Sequence, residues 1–194
     1  MQEAVPVGEG AMAAILGLDA DGVARACAEA AAESNQVVSP ANLNAPGQVV
    51  IAGHARAVTL ASEKAKAAGA RRAIPLAVSA PFHCALMKPA EERLAPELRG
   101  LAAQPPRIPV VANVDAEPKR DAAAAIEALV RQVSSPVRWE DVVKRLIAEG
   151  VTKFVELGPG SVLSGLIKKI DRSVTVMNIE NGSDLEPALE RLTA

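Results

Sequence analysis

Histidine is the residue type with which this chain could most readily do chemistry, because an imidazole takes up and returns protons near neutral pH. The chain has two histidines, His54 and His83. His83 follows an apolar run, 74–78, that predicts a strand, and precedes residues 86–101, which predict a helix. Catalytic side chains often lie on short loops between rigid elements. A histidine after a strand is nevertheless more often a structural residue, and spacing alone favours that interpretation.

A nucleophile is harder to find than a base. Cys84 follows His83 directly, but neighbouring side chains in an extended loop point apart, so a hydrogen-bonded pair is not expected. Ser79 is a further candidate, although a serine after a strand is usually ordinary. The segment 53–57 resembles part of a nucleophile elbow but has neither Ser nor Cys at its third position. His54, in that segment, is interpreted as a surface residue at a helix start.

Two further patterns favour structural roles. Residues 158–161, Gly-Pro-Gly-Ser, precede a predicted helix, whose N terminus attracts anions. They lack the lysine and the spacing of a P-loop, so a plain turn between strand and helix is favoured. The two cysteines, Cys27 and Cys84, predict neither a disulfide framework nor a metal site.

Composition excludes several function classes. The chain has 194 residues, of which 49% are apolar, yet it contains no tyrosine, one tryptophan and two phenylalanines. Few rings and a net charge of -2 argue against a nucleic-acid binder. No apolar run approaches the ~20 residues that span a bilayer, and the start does not resemble a signal peptide. A cytoplasmic enzyme or enzyme fragment fits these observations.

The first part of the chain predicts the element order βαββαβ, which is that of a ferredoxin-like module. Asp19 is expected to cap the first helix, and residues 44–47 have the chemistry of a tight turn. The predicted elements are a strand at 11–18, a helix at 20–32, strands at 37–43 and 48–53, a helix at 56–68 and a strand at 71–78. We therefore expect a four-stranded antiparallel sheet within residues 8–78, with two helices on one face.

The rest of the chain alternates longer helices with strands, which predicts a mostly parallel sheet covered by helices. In the helix at 86–101, Met87, Leu94, Leu98 and Leu101 are expected to share one apolar face, and Pro96 should kink it. Strands are predicted at 109–112, at 154–157, where the strand should be buried, and at 174–178. Helices are predicted around 126–133, 139–149, 162–170 and 185–192.

Four segments, in this order, carry a resemblance to a known family. They are Asn-Leu-Asn-Ala-Pro-Gly-Gln-Val-Val-Ile-Ala-Gly at 42–53, Ser-Ala-Pro-Phe-His-Cys at 79–84 with its continuation to 89, Ala-Leu-Val-Arg-Gln at 128–132 with Pro-Val-Arg-Trp at 136–139, and Glu-Leu-Gly-Pro-Gly at 156–160. The chain resembles the malonyl-CoA–acyl carrier protein transacylases of fatty-acid synthesis over its whole length.

The resemblance implies roles for particular residues. His83 corresponds to the general base that activates a serine nucleophile, and the backbone carbonyl of Gln132 corresponds to the group that orients its ring. Phe82, Asn42 and Asn44 match positions near the substrate, and Phe82 would disfavour a branched acyl group. The implied partners are malonyl-CoA and an acyl carrier protein bearing phosphopantetheine. No bound cofactor or metal is implied, and the complete protein would be a monomer.

The resemblance also implies an α/β architecture with two subdomains. Residues 8–78 would form a ferredoxin-like small subdomain, inserted into an α/β-hydrolase-like large subdomain. Residues 1–7 would end one segment of the large subdomain, and residues 79–194 would form its C-terminal part.

The family's other site elements have no counterpart in these residues. The chain contains no Gly-His-Ser-x-Gly elbow, no Gly-Gln-Gly-Ser-Gln loop and no match to the arginine that binds the malonyl carboxylate. It is therefore expected to be the C-terminal part of a transacylase and to be inactive alone. The alternative is a non-catalytic remnant that binds the carrier protein or coenzyme A.

Overall fold

The computed structural model describes residues 1–193 and has a mixed α/β architecture. The strands are β1 (Gly10–Leu16), β2 (Val38–Ala45), β3 (Gln48–His54), β4 (Arg72–Pro75), β5 (Val110–Val111), β6 (Pro118–Lys119), β7 (Lys153–Leu157) and β8 (Thr175–Ile179). The helices are α1 (Ala20–Ser34), α2 (Ala55–Ala67), α3 (Lys88–Arg99), α4 (Ala122–Arg131), α5 (Trp139–Ala148), α6 (Val162–Ile170) and α7 (Leu185–Thr193). Within the described residues, no helix combines the length and apolar character that a membrane crossing needs.

The chain separates into two compact units, Met1–Val142 and Val143–Ala194, and the division falls within α5. These limits differ from the subdomain boundaries predicted at residues 7 and 78, which stay a prediction.

The first unit contains the expected four-stranded sheet. Its strand order is β2-β3-β1-β4, and every neighbouring pair is antiparallel. The prediction for residues 48–53 is confirmed, since β3 occupies the second position and pairs with both β1 and β2. Asp19 caps α1 as expected by accepting a hydrogen bond from the N–H of Gly22 at 2.7 Å. Gly47, at φ 68°, completes the predicted hairpin turn between β2 and β3.

Helices α1 and α2 pack on one face of this sheet, as predicted. Ile15 and Ile51 are fully buried in this core together with Cys27, so Cys27 is the core residue that its helical spacing indicates. Small side chains line both helices in the same core, namely Ala26, Ala30, Ala57, Ala61 and Ala65. Alanines at these positions allow two helix backbones to lie close to each other and to the sheet.

The opposite face of the sheet carries the loop that contains His83. Met12, Val50 and Ala52 point to this face and form a second apolar cluster that includes Cys84. Strands alternate their side chains between the two faces, which explains how Ile51 and Val50 belong to different cores. The sheet is therefore a rigid support directly beneath the His83 loop.

Strand β4 is shorter than predicted. It ends at Pro75, and its last tie to the sheet is the hydrogen bond from the N–H of Leu76 to Met12 O at 2.9 Å. The N–H of Val78 then bonds to Leu76 O at 3.0 Å, so the chain turns away from β1. The predicted strand end at 76–78 is thus wrong, because the pairing with β1 ends at Pro75.

The expected apolar face of α3 is confirmed at Met87 but is wrong for Leu94 and Leu101. Leu94 and Leu101 are 38% and 59% exposed, whereas the buried positions are Met87, Glu91 and Ala95. These three follow one another at intervals of four residues, which is an equally good helical spacing. A glutamate can occupy this buried face because Lys88 and Ser134 hydrogen-bond to its carboxylate.

The later strands form two small sheets among the described residues instead of one mostly parallel sheet. Strands β5 and β6 make a short antiparallel pair, while β7 and β8 are parallel, with Phe154 opposite Val176. Strand β7 is half-buried, and Leu157 at its end is 75% exposed, so the prediction of a buried strand is wrong.

Candidate active site

His83 has an unusual backbone conformation. Its φ is 59°, in the left-handed region that residues with a Cβ rarely adopt. Such a conformation costs roughly 1–3 kcal/mol and persists only where the surroundings enforce it. Here Pro81 and Cys84 on the two sides of His83 are buried, and the Cys84 thiol donates to Pro81 O at 3.1 Å. The backbone strain is therefore held at the residue that sequence reasoning selected as the candidate base.

The imidazole of His83 is oriented by a backbone carbonyl. Its Nδ1 lies 3.2 Å from Gln132 O. A carbonyl oxygen only accepts hydrogen bonds, so Nδ1 must carry the proton in this contact. In the neutral ring Nε2 then has a free lone pair and can accept a proton from a hydroxyl or a thiol. The residue is half-buried, so part of its surface is accessible to solvent.

The carbonyl of Gln132 is available because it lies at a helix end. Gln132 is the residue that follows α4, and its N–H bonds to Ala128 O at 3.0 Å. The last carbonyls of a helix have no partner within the helix and need another donor. The His83 ring is that donor for Gln132. The end of α4 thus fixes both the position and the tautomer of the imidazole.

The chain beyond Gln132 is tied to the antiparallel sheet. The N–H of Val137 donates to Ala41 O, and the N–H of Leu43 donates to Val137 O, each at 2.8 Å. Val137 therefore lies beside β2 in a short parallel bridge at Asn42. This bridge joins the segment that carries the Gln132 carbonyl to the sheet that supports the His83 loop.

The two predicted substrate residues on β2 lie near this bridge. Asn42 pairs with Val50 on β3 and takes part in the bridge to Val137. Asn44 lies between Leu43 and Ala45, where the register shifts, and such irregularities often redirect a side chain. Both asparagines are half-buried. Within residues 1–193 no hydrogen bond joins either side chain to His83, and their substrate role stays a prediction.

Phe82 lies between two apolar clusters. It packs against the cluster of Met12 and Val50 and also against the one that contains Met87 and Val133. Phe82 is half-buried, and its contacts with these two clusters help to hold the His83 loop in place. A role in substrate selection stays a prediction, and any truncation of Phe82 will also remove packing.

The other candidate nucleophiles are poorly placed. Cys84 is only 1% exposed, burial raises the pKa of its thiol, and its hydrogen bond goes to Pro81 O. Burial likewise raises the pKa of the Cys27 thiol to about 12. Ser79 is exposed, and its carbonyl accepts a hydrogen bond from the Gln2 side chain at 2.9 Å. Protonated, buried thiols are unreactive, so neither cysteine suits covalent catalysis.

His54 has a structural role. It lies at the start of α2, as predicted, but it is half-buried rather than on the surface. Its Nδ1 accepts a hydrogen bond from the N–H of Val37 at 3.1 Å. The neutral His54 ring must therefore carry its proton on Nε2, opposite to the tautomer of His83. This ring ties the residue before β2 to the end of β3.

Sequence reasoning missed the polar residues around the end of α4. The Asp115 carboxylate accepts hydrogen bonds from Lys119 at 2.9 Å and from Arg131 at 2.6 Å. Burial would raise the pKa of Asp115, but these contacts outweigh it and hold the pKa below its ordinary value. Glu91 on α3 contacts Ser134 on the other side of Gln132. The i,i+3 spacing of Lys88 and Glu91, which is typical of an ion pair on a helix, was the one sequence pattern that could have pointed to Glu91.

The segment Glu-Leu-Gly-Pro-Gly, in the second unit, contributes the cap of a helix. The Glu156 carboxylate accepts from the N–H groups of Leu163 at 3.0 Å and Ser164 at 2.7 Å, and from the Asn178 amide at 3.0 Å. Burial would raise its pKa, but the bonds from Ser164 outweigh this and lower it. The start of α6 thus already has an anionic partner, which favours the plain turn at 158–161 over a phosphate site.

The described residues contain no group of three or more histidine, cysteine or acidic side chains placed to hold a metal ion. The chemistry that this site offers is proton transfer at the imidazole.

Comparison with known families decides what kind of protein carries this site. The sequence pattern of the acyl transferase domain family matches residues 1–185. The chain belongs to the acyl transferase domain family. This is a family of acyltransferases, so the resemblance noted from the four sequence segments is confirmed.

The curated relatives of this acyl transferase domain are malonyl CoA-acyl carrier protein transacylases. The one from Escherichia coli K12 is 53% identical over 190 residues, which are 98% of this chain and 61% of the relative. The one from Bacillus subtilis is 50% identical over 192 residues, with 99% and 60% covered. The chain thus spans about 61% of the length of the curated relatives it matches.

Solved structures give the same picture. A malonyl-transacylase in complex with a type II PKS acyl-carrier protein matches with a TM-score of 0.94 at 50% identity, covering 98% of this chain and 61% of that one. The malonyl CoA-acyl carrier protein transacylase of Coxiella burnetii matches with a TM-score of 0.95 at 43% identity, covering 100% and 60%. The acyl transferase domain therefore has the mixed α/β fold of these enzymes.

Proposed function

We propose that this chain supplies the base-bearing part of an S-malonyltransferase of fatty-acid biosynthesis. The enzyme would move a malonyl group from coenzyme A to the phosphopantetheine thiol of an acyl carrier protein. The observation that carries the proposal is the contact between His83 Nδ1 and Gln132 O at 3.2 Å, which leaves Nε2 as a proton acceptor. The similarity to transacylases from several bacteria supports the same substrates and partner, in the cytoplasm.

The proposed reaction has two acyl transfers that use His83 in the same way. A serine hydroxyl gives its proton to Nε2 of His83 while its oxygen attacks the malonyl thioester carbonyl. The thioester C–S bond breaks, and the coenzyme A sulfur leaves with that proton. In the second transfer the carrier protein's thiol gives a proton to Nε2 and attacks the acyl-serine ester. The ester C–O bond breaks, and the serine oxygen leaves with the proton that came from the thiol, so no net proton is gained or lost at His83.

The Gln132 carbonyl would serve both transfers. It holds the ring with Nδ1 protonated, so that Nε2 faces the reacting oxygen or sulfur in its basic form. It also accepts a stronger hydrogen bond once the ring becomes positively charged, which stabilises the imidazolium. A neutral carbonyl thus takes the place of the carboxylate in a serine–histidine–aspartate triad.

The proposed architecture has two subdomains. The βαββαβ order and the strand order β2-β3-β1-β4 support a ferredoxin-like small subdomain at residues 8–78. Strands β7 and β8 are parallel, and α6 connects them while α7 follows β8. This alternation supports an α/β-hydrolase-like large subdomain for residues 79–194. Residues 1–7 would belong to the large subdomain.

The test of function uses a chimera, because the chain spans 61% of the Escherichia coli relative. The part of that relative that this chain does not match is joined ahead of Met1. We expect the chimera to form a malonyl-enzyme with malonyl-CoA and to pass the malonyl group to phosphopantetheine-bearing carrier protein. Intact-mass measurement of both proteins follows the two transfers. Failure of a folded chimera to transfer malonyl would contradict the proposal.

Phe82 should set the preference for an unbranched acyl group. Phe82→Ser in the chimera opens space beside His83, so methylmalonyl transfer should improve relative to malonyl transfer. One methyl group in a tight pocket changes the ratio of kcat/KM values by at most ~200-fold. The ratio, measured with both substrates in competition, is the proper readout because Phe82 also packs against two apolar clusters. Phe82→Leu is the control that keeps apolar bulk, and an unchanged ratio in Phe82→Ser would exclude the steric role.

A further inference from the structure

The turn that follows α4 depends on a buried carboxylate whose role the proposed reaction does not explain. Glu91 is 7% exposed and lies on the buried face of α3 beside Met87 and Ala95. A buried carboxylate is strongly unfavourable unless hydrogen bonds compensate it. Its Oε1 accepts from Lys88 Nζ at 2.5 Å, and its Oε2 accepts from the hydroxyl of Ser134.

The two contacts of Glu91 differ in what they can do. Lys88 lies one turn earlier on the same helix segment and is more than half exposed, so its contact ties no other element. Ser134 lies 43 residues further along the chain, two residues after Gln132. The Ser134 contact is therefore the one that fixes α3 to the turn after α4.

Each residue of that turn has its own anchor. Gln132 contacts His83 through its carbonyl, Val133 enters the apolar cluster of Val5, Ala80 and Met87, and Ser134 contacts Glu91. Before the turn, Arg131 at the end of α4 contacts Asp115, and after it Val137 contacts β2. Arg131 and Val137 hold the two ends of the segment, while Ser134 provides the polar side-chain anchor within the turn that follows the Gln132 carbonyl.

The contact between His83 and Gln132 has little tolerance for movement. Its 3.2 Å distance is already at the upper end of the usual range for N–H···O hydrogen bonds. A displacement of a few tenths of an ångström would weaken the bond and release the ring to the other tautomer. We propose that Glu91 is a positioning residue, which holds Ser134 so that the Gln132 carbonyl stays on Nδ1 of His83. The consequence for catalysis rests on the proposed function, whereas the effect on the ring does not.

The two histidines make this proposal measurable in the 194-residue chain itself. His83 carries its proton on Nδ1, and His54, which accepts from Val37, carries it on Nε2. Nitrogen NMR of a chain labelled at histidine, recorded at mildly alkaline pH, distinguishes the two tautomers. His54 lies between strands of the sheet and serves as an internal control of folding. We expect one ring of each kind in the unmodified chain.

The decisive variants remove the contact from either side. In Ser134→Ala and Glu91→Ala the His83 signal should lose its Nδ1–H character, while the His54 signal should not change. Glu91→Gln retains an oxygen that can accept from Ser134 and should preserve the tautomer. Ser135→Ala alters the neighbouring serine and is the matched control. An Nδ1–H signal for His83 that persists in both alanine variants would overturn the proposal, as would its absence from the unmodified chain.

Kinetics of the chimera separate the positioning role from the proposed function. Ser134→Ala should lower kcat by roughly 10-fold, a scale typical of residues that orient a reacting side chain, with KM for malonyl-CoA unchanged. A normal kcat in that variant would overturn the catalytic part of the proposal. An inactive unmodified chimera would instead overturn the proposed function, and the histidine spectrum would still decide the role of Glu91.

Discussion

His83→Ala in the chimera should lower kcat/KM for malonyl transfer by roughly 100-fold or more, which is the usual scale for removing a general base. The serine hydroxyl then has no acceptor for its proton, and the second transfer loses the base that activates the carrier protein's thiol. The substitution removes both the ring and its contact with Gln132 O. Transfer of malonyl to the carrier protein, followed in the first turnover, measures both steps.

The control for this substitution is the second histidine. His54→Ala removes the acceptor of the Val37 N–H, a contact that involves neither His83 nor Gln132, so it should lower stability without lowering the rate per folded molecule. Because His83 has φ 59°, its replacement by alanine leaves the strained backbone in place, and His83→Gly should relieve it. Both variants at position 83 should be equally inactive. Near-normal turnover in either one would show that His83 is not the base.

The 194-residue chain alone should form no covalent malonyl adduct. A serine in a Gly-His-Ser-x-Gly elbow is the expected nucleophile, and these residues contain no such segment. Both cysteines are buried with thiol pKa values raised by burial, so neither replaces that serine. Loss of the nucleophile closes the covalent route, whatever the base can do.

Intact mass after incubation with malonyl-CoA and denaturation checks this expectation, with the chimera as the positive control. A stoichiometric malonyl adduct on the 194-residue chain, which could then be passed to carrier protein, would contradict it. Peptide mapping would in that case locate the modified residue. Ser79, which is exposed close to His83 in the sequence, would be the first position to inspect.

The antiparallel sheet could be predicted from the sequence because several local signals agree there. β-branched residues mark β3, Asp19 caps α1, and the turn at 44–47 sets the hairpin. The buried face of α3 could not be predicted in the same way. Glu91 is buried only because Ser134, distant in sequence, satisfies its carboxylate, and no local pattern encodes that contact.

The candidate site shows a similar limit. His83 is recognisable by residue type, yet its spacing alone favoured a structural histidine. The group that orients it is a main-chain carbonyl, so nothing in the side chain of Gln132 signals the role. That assignment came from resemblance to a family. In the structure this carbonyl lies at the end of α4, where it has no partner within the helix and contacts His83 Nδ1, and its catalytic role stays a prediction.

The bridge between Val137 and β2 has a consequence for how this region can evolve. Both of its hydrogen bonds use main-chain atoms, so they depend on the number of residues that follow Gln132 and not on their identity. Residues 133–136 form a spacer of fixed length between the His83 contact and the sheet. Apart from Ser134, whose hydroxyl contacts Glu91, substitutions within the spacer can accumulate in homologous chains as long as local packing is kept. An insertion or deletion there shifts the carbonyl away from the imidazole and should be removed by selection.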